Sequence, residues 1–414
     1  MCRILGVIGD GDVQTEILLG LYMQIYAGDH STGIASFDGR SINLRKSRGK
    51  AVDVFPGLDP DLSGNLIIGH NGCGLGQIQP TIVRCGKESV AIATDSSRYT
   101  NRRILSVLNQ APDVIKGVKE VMFRVRKPFA LIILSRKFGL IASRNSGIKP
   151  LTIGSFTVDG LSGFYVGSQS GVMLEGEFID SVEPGNMLVV EQKSYQNLAI
   201  LPKPDRRHCL NEDMFKQRPG NRSGKHEVNV IRFNIGKALG EKFRSKHAST
   251  DYLAIPILEG GRQISMGFSA GSGIPVNPAG SMKNIYSVTP EMKKIAQQIN
   301  LSPDFSLTPI PNIDGKRIIL IDDQMISGGK VHHMVEQCYR FGARDVAVAL
   351  GAIGGHPCLY GDETYVGKDL IVRDLTIRQI CHQFGVSSLI YLSPQEVIKA
   401  VDNPERLYCV DCLY

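Results

Sequence analysis

One stretch constrains this chain more than any other. Ile318 to Ile321 is aliphatic throughout and leads into Asp322-Asp323, then Gln324-Met325-Ile326, then Ser327-Gly328-Gly329-Lys330. From Lys330 to Phe341 the apolar residues Val331, Met334, Val335 and Cys338 recur at helical spacing, and Gly342 supplies a stop. Asp345 to Leu350 reads as the next buried strand, and Tyr252 to Ile257 as an earlier one. Strand, loop, helix and strand in that order require a right-handed crossover in a largely parallel sheet. Ligands bind at the carboxyl edge of such a sheet. Backbone N–H groups of a Gly-rich turn opening a helix bind phosphate, and the glycines let the main chain come close. Ser327 adds a hydroxyl donor and Lys330 a charge, while Asp322 and Asp323 are acceptors suited to ribose hydroxyls. The plainer alternative is a βα turn with two solvated acids.

Residues 1–201 have a different texture. Ile4 to Ile8, Asn65 to Ile68, Ser89 to Ala93, Phe129 to Leu134, Gly139 to Ala142 and Met187 to Val190 are short apolar runs separated by glycine and polar residues. Glu16 to Ile25 and Arg102 to Val107 read as helices. Sheets with helices packed on them are expected, an α+β arrangement. Residues 202–225, polar and rich in Pro and Arg, read as a linker, and 226–414 as a second, α/β domain. A chain of 414 residues is long enough for two cores.

The charge is +7, with Lys and Arg scattered rather than clustered, which suits phosphate-bearing small molecules and gives no nucleic-acid footprint. No apolar run reaches the ~20 residues that cross a bilayer. The N-terminus lacks the basic start and long apolar stretch of a signal peptide, so a cytoplasmic protein without a membrane partner is expected. Nine cysteines in that compartment call for something other than disulfides. Cys409-Val410-Asp411-Cys412 is a Cys-x-x-Cys pair whose spacing alone fits zinc, redox chemistry or iron–sulfur. Cys73, Cys85, Cys338 and Cys381 read as small core residues.

Several segments carry a resemblance. The Asp322–Lys330 turn resembles the PRPP loop of type I phosphoribosyltransferases. Leu19 to Gln24 with Gly28 and Thr32-Gly33-Ile34-Ala35, Gly69-His70, Gln79-Pro80, Arg144 to Leu151, and Val182-Glu183-Pro184-Gly185 resemble the N-terminal half of glutamine phosphoribosylpyrophosphate (PRPP) amidotransferases. His356 to Gly361 and Leu389 to Ser393 resemble that family's C-terminal half, in the same order. The resemblance implies an N-terminal Ntn-hydrolase-like sandwich and a C-terminal type I phosphoribosyltransferase-like sheet. It implies a reaction in which nitrogen from glutamine displaces pyrophosphate from Mg²⁺-PRPP, giving phosphoribosylamine for purine synthesis. Small-molecule partners follow: PRPP, glutamine or ammonia, and nucleotide effectors, with assembly into a homo-oligomer.

The resemblance also assigns residues. Cys2 takes the place of the N-terminal nucleophile, exposed by removal of Met1. Glu259-Gly260-Gly261, after Leu258, takes the place of the pyrophosphate loop, followed by Arg262. Cys209, Cys358, Cys409 and Cys412 fill the ligand positions of the family's iron–sulfur branch. Four thiolates are the usual ligand set for a 4Fe-4S cluster. Departures lie in the glutamine half. Arg3 replaces a small glycine beside the nucleophile. The family's substrate-pairing Arg-Tyr-Ser-Thr falls at Gly72-Cys73-Gly74-Leu75. Its oxyanion-hole Asn-Gly falls near Asp95-Ser96, where a carboxylate would repel developing negative charge. The lid over pyrophosphate is reduced to Lys283-Asn284-Ile285-Tyr286. An impaired glutaminase is therefore expected. The competing expectation is a non-catalytic paralogue that binds a nucleotide or ribose phosphate and regulates or scaffolds, with an iron–sulfur sensor as a further variant.

Overall fold

In the computed structural model, residues 2–24, 30–73, 77–224, 226–247, 251–277, 281–283, 305–307, 313–360, 370–401 and 407–414 are described. The first half is built on two stacked antiparallel sheets. One has seven strands in the order Gly176–Ser181, Thr152–Val158, Leu161–Gly167, Arg3–Gly9, Leu66–Gly72, Ser31–Phe37, Ile42–Arg48. The other has six, in the order Tyr195–Ala199, Asn186–Val190, Gly139–Arg144, Ala130–Ser135, Glu88–Asp95, Thr81–Cys85. Alternation along the strands sends Ile4, Ile8 and Ile68 of the first against Ala91, Ile132 and Leu140 of the second. A Cβ on Gly6 would stand 2.9 Å from Ile132, so the sheets nearly touch at that point.

Helices complete the layers. Gln14–Met23 packs Ile17 and Leu21 onto Leu5, Val7 and Ile67 on the outer side of the seven-stranded sheet. Arg98–Gln110 and Val114–Arg124 cover the outer side of the other with Ile104, Leu108, Val118 and Val121. Ser97 and Asp113 cap them, each accepting from a backbone N–H in the first turn. Each apolar run named above lies in a strand. The helix expected at Arg102–Val107 extends in both directions. The helix at Val114–Arg124 went unread, although its apolar residues have helical spacing.

The second half carries a four-stranded, wholly parallel sheet in the order Leu253–Pro256, Arg317–Met325, Asp345–Ile353, Ser388–Tyr391. Helices Val228–Lys246 and Gly261–Ser272 cover one face through Ile235, Leu239, Ile264 and Phe268, and Gly329–Arg340 and Ile377–Phe384 the other. The α+β sandwich and the α/β parallel sheet are both as expected. The first two of these helices meet backbone to backbone. A Cβ on Gly236 would lie 2.0 Å from the Ile264 carbonyl oxygen, and one on Gly267 1.9 Å from that of Phe233. Gly240 and Gly271 repeat the arrangement one turn on, at 2.3 Å from Phe268 and 2.2 Å from Lys237.

The stretch read as a polar linker contributes to the core. Leu210, Glu212, Asp213 and Met214 are wholly buried, the last three in a π-helical segment, Glu212–Lys216. Cys85 and Cys338 are buried as expected, whereas Cys73 and Cys381 are only half-buried. Among the described residues no helix is long and apolar enough to cross a membrane.

The helix crossing makes a direct test. Gly236→Ala should cost about 1–3 kcal/mol, the usual penalty for overpacking. Gly220→Ala, with nothing within 4 Å of its added carbon, should stay within about 0.5 kcal/mol of wild type. Chemical denaturation followed by circular dichroism reads both.

Candidate functional site

The strand Arg317–Met325 runs through both carboxylates instead of ending before them. Asp322 is wholly buried and Asp323 only 7% exposed. Lys330, in the first turn of the following helix, reaches back to Asp322, with Nζ 2.7 Å from Oδ2. Burial pushes both carboxyls above the ordinary range, and the Lys330 ammonium works against that shift. The neighbouring strand delivers Glu259-Gly260-Gly261 onto the same spot. A Cβ on Gly260 would sit 1.8 Å from Asp323 Oδ2, and one on Gly261 2.3 Å from the Ile321 carbonyl oxygen, so only glycine fits at either position. Glu259 pairs with Arg262 at 3.4 Å near the surface.

The turn itself is shaped for an anion. Gly328 has φ of +80°, and a Cβ there would strike Phe384 and Ile371. Among the described residues, the nearest atom to a Cβ on Gly329 is the Ser327 hydroxyl at 4.0 Å. No side chain caps the helix that begins here. Its first N–H groups can therefore serve a phosphate. Two segments more than 60 residues apart in the chain, Glu259–Gly261 and Asp322–Lys330, thus form one site. Asn284–Tyr286 of the expected lid lie outside the described residues.

At the other end of the chain, Cys2 immediately precedes the strand Arg3–Gly9 at the centre of the seven-stranded sheet. Burial, reinforced by the Asp95 carboxylate, pushes its thiol up to about 11. That is opposite to what activates a thiol nucleophile. Asp95 is itself buried and pairs with Lys149 at 2.9 Å. Burial opposes its ionisation, but Lys149 and Arg3 outweigh that and hold the carboxyl below the usual range. His70, next to this group, is pushed down to about 4 by burial and is neutral at pH 7. Arg3 is wholly buried and donates Nη2 to Glu212 Oε2 at 3.0 Å and to the Lys216 carbonyl oxygen at 2.9 Å. The residue that breaks the pattern beside the nucleophile is thus an anchor for the buried segment 210–216.

The same segment leads to the cysteines. His208–Cys209 pairs in parallel with Tyr408–Cys409, register Cys209↔Cys409, which places the two side chains together. The chain end is fastened to the segment bearing Cys358, since Gly355 and His356 N–H groups donate to the Cys412 carbonyl oxygen. Cys209, Cys358, Cys409 and Cys412 line one cavity, shared with Lys149 and Glu212. Burial pushes Cys209 and Cys412 up to about 12 and Cys409 up to about 11, and neighbouring sulfurs add to the shift at Cys209 and Cys412. All nine cysteines are free thiols. Among the described residues no group of three or more His, Cys, Asp or Glu is arranged to hold a metal ion. The four sulfurs therefore share a space without closing on a single point. Lys149, Asn211 and Glu212 belong to this region and escaped the sequence reading as functional residues; nothing local marks them.

Two measurements follow. Glu212→Gln strands the Arg3 charge in the interior and should cost about 3–5 kcal/mol, read by urea denaturation. Alkylation of Cys2 by iodoacetamide, followed by peptide mass spectrometry, should rise about tenfold per pH unit from pH 7 towards 11. A plateau near neutrality would reveal an activated thiolate instead.

No family model matches the chain. Curated relatives do. An amidophosphoribosyltransferase of Methanothermobacter thermautotrophicus is 26% identical over 456 aligned positions, covering 100% of this chain and 93% of the relative. One of Methanocaldococcus jannaschii is also 26% identical, covering 100% and 96%. Among solved structures, the glutamine PRPP amidotransferase of B. subtilis complexed with ADP and GMP aligns with a TM-score of 0.88 at 20% identity, covering 99% of this chain and 96% of that one. At that identity the structural likeness establishes the fold. Over its full length, with the motifs of both halves in order, the chain is similar to curated amidophosphoribosyltransferases.

Proposed function

We propose that this protein transfers an amino group to PRPP, releasing pyrophosphate and giving phosphoribosylamine for purine nucleotide synthesis. The observation that carries the reading is the joining of Asp322–Lys330 and Glu259–Gly261 into one site. There an uncapped helix start and the open face of Gly329 meet two buried carboxylates. The 5-phosphate sits on the turn, Asp322 and Asp323 hold the ribose hydroxyls, and Gly260-Gly261 receive the pyrophosphate with Mg²⁺, which enters as part of the substrate. Displacement at the anomeric carbon then needs an unprotonated amine at the sugar's open face.

The nitrogen source we infer is ammonia rather than glutamine. Cys2 is half-buried near Asp95 with its thiol pushed up, and Lys149 pairs with that carboxylate. An oxyanion would form next to negative charge, the reverse of the stabilisation amide hydrolysis requires.

We further infer that Cys209, Cys358, Cys409 and Cys412 hold a 4Fe-4S cluster. Four cysteines from three chain segments line one cavity, the donor set that such a cluster takes. A polynuclear group meets four thiolates spread around its own volume. The amino transfer moves no electrons, so the cluster ties three chain segments together. A cytoplasmic setting, where thiols stay reduced, suits these nine free cysteines.

Anaerobic incubation with Mg²⁺-PRPP tests the activity. Pyrophosphate release is expected with ammonium and not with glutamine. Release with glutamine at an equal rate would restore a working glutaminase. Absence of release with either donor would leave a binding paralogue.

A further inference from the structure

We propose that Asn211 is a positioning residue for the group held by the four cysteines, and that its side-chain amide governs how firmly that group is retained and at what potential it accepts an electron. The inference rests on the reading of those cysteines as cluster ligands.

Asn211 is 2% exposed and lines the same cavity. Its Nδ2 lies 3.0 Å from Cys412 Sγ. Its Oδ1 has no hydrogen-bond partner. The two ends of the amide are therefore unequal. A ligated sulfur carries no proton and can only accept, so the N–H end must face it. The side chain is fixed in that role by what surrounds it. Leu210 and Met214 are wholly buried on either side in sequence, and Glu212 is locked by Arg3. Cys412 is held from the opposite side through its own carbonyl oxygen, which accepts from Gly355 N–H at 2.9 Å and His356 N–H at 3.3 Å. Donor and sulfur thus sit on separate chain segments, each immobilised before they meet.

A donor to a ligating sulfur withdraws negative charge from it. That favours the reduced cluster, in which the sulfurs carry more charge, and raises the potential. Partners that orient metal ligands commonly account for 10–100-fold in metal affinity. Lys216 places a further buried amino group in the field of Cys209 and Cys412 and acts in the same direction.

The test uses full-length protein reconstituted anaerobically with iron and sulfide, as wild type, Asn211→Leu and Asn211→Asp. Leucine removes the donor at similar volume. Aspartate is nearly isosteric, so it keeps the fold, yet offers only acceptors. Iron release to a ferrous chelator is followed by loss of visible absorption, and midpoint potential by electron paramagnetic resonance during dithionite titration, in which one electron enters the cluster and no bond breaks. Release about tenfold faster in both variants, with potentials displaced negative and further in aspartate, is the expected result. Variants that keep wild-type release and wild-type potential overturn the role of Asn211 while leaving the cluster in place. A wild type that takes up no iron and sulfide overturns the cluster reading, and this inference with it.

Discussion

The Arg3–Glu212 ion pair links parts of the molecule that the chain keeps far apart. It joins the first residue of the central strand to a residue 209 positions later. Both side chains are wholly inaccessible, so neither charge can fall back on water. Removing either alone would leave an unpaired charge inside the protein. Glu212 then lines the cavity of the four cysteines, while Arg3 and Lys149 flank Asp95 and Cys2. One buried carboxylate thus joins the surroundings of Cys2 to the cysteine cavity.

This arrangement sets the charge environments of the two halves apart. In the N-terminal half, cations and carboxylates occupy the neighbourhood of Cys2 and satisfy one another. The charges there are paired internally, and the thiol is pushed up to about 11. In the C-terminal half the carboxylates are also buried, but they stand beside glycines that leave room for a ligand. Asp322 already holds one cation in Lys330.

The sandwich and the parallel sheet were legible because hydrophobic periodicity is a local property. The helix starting at Gly329 was readable from Val331, Met334, Val335 and Cys338, and the phosphate turn from Ser327-Gly328-Gly329. The continuation of the strand through Asp322 and Asp323 was not, since carboxylates are poor strand residues and only the neighbouring strand at Asp345–Ile353 extends the ladder that far. The linker reading of 202–225 failed for a similar reason. Its composition is polar, but Glu212 and Asp213 are buried by partners such as Arg3, His208 and Ser223 that composition does not reveal.

By itself, the sequence showed the fold class, the strand–turn–helix–strand unit around Asp322–Lys330 and the order of motifs that makes the chain similar to amidophosphoribosyltransferases, and it joined the four cysteines only through that resemblance. Each depends on residue type at short spacing or on pattern shared along the chain. Tertiary structure alone decided the close crossing of the helices at Gly236 and Gly267, the pairing of Lys149 with Asp95, and the contact of Asn211 with Cys412. In these cases an ordinary residue acquires its role from an atom tens to hundreds of positions away, at distances where a fraction of an ångström separates contact from collision.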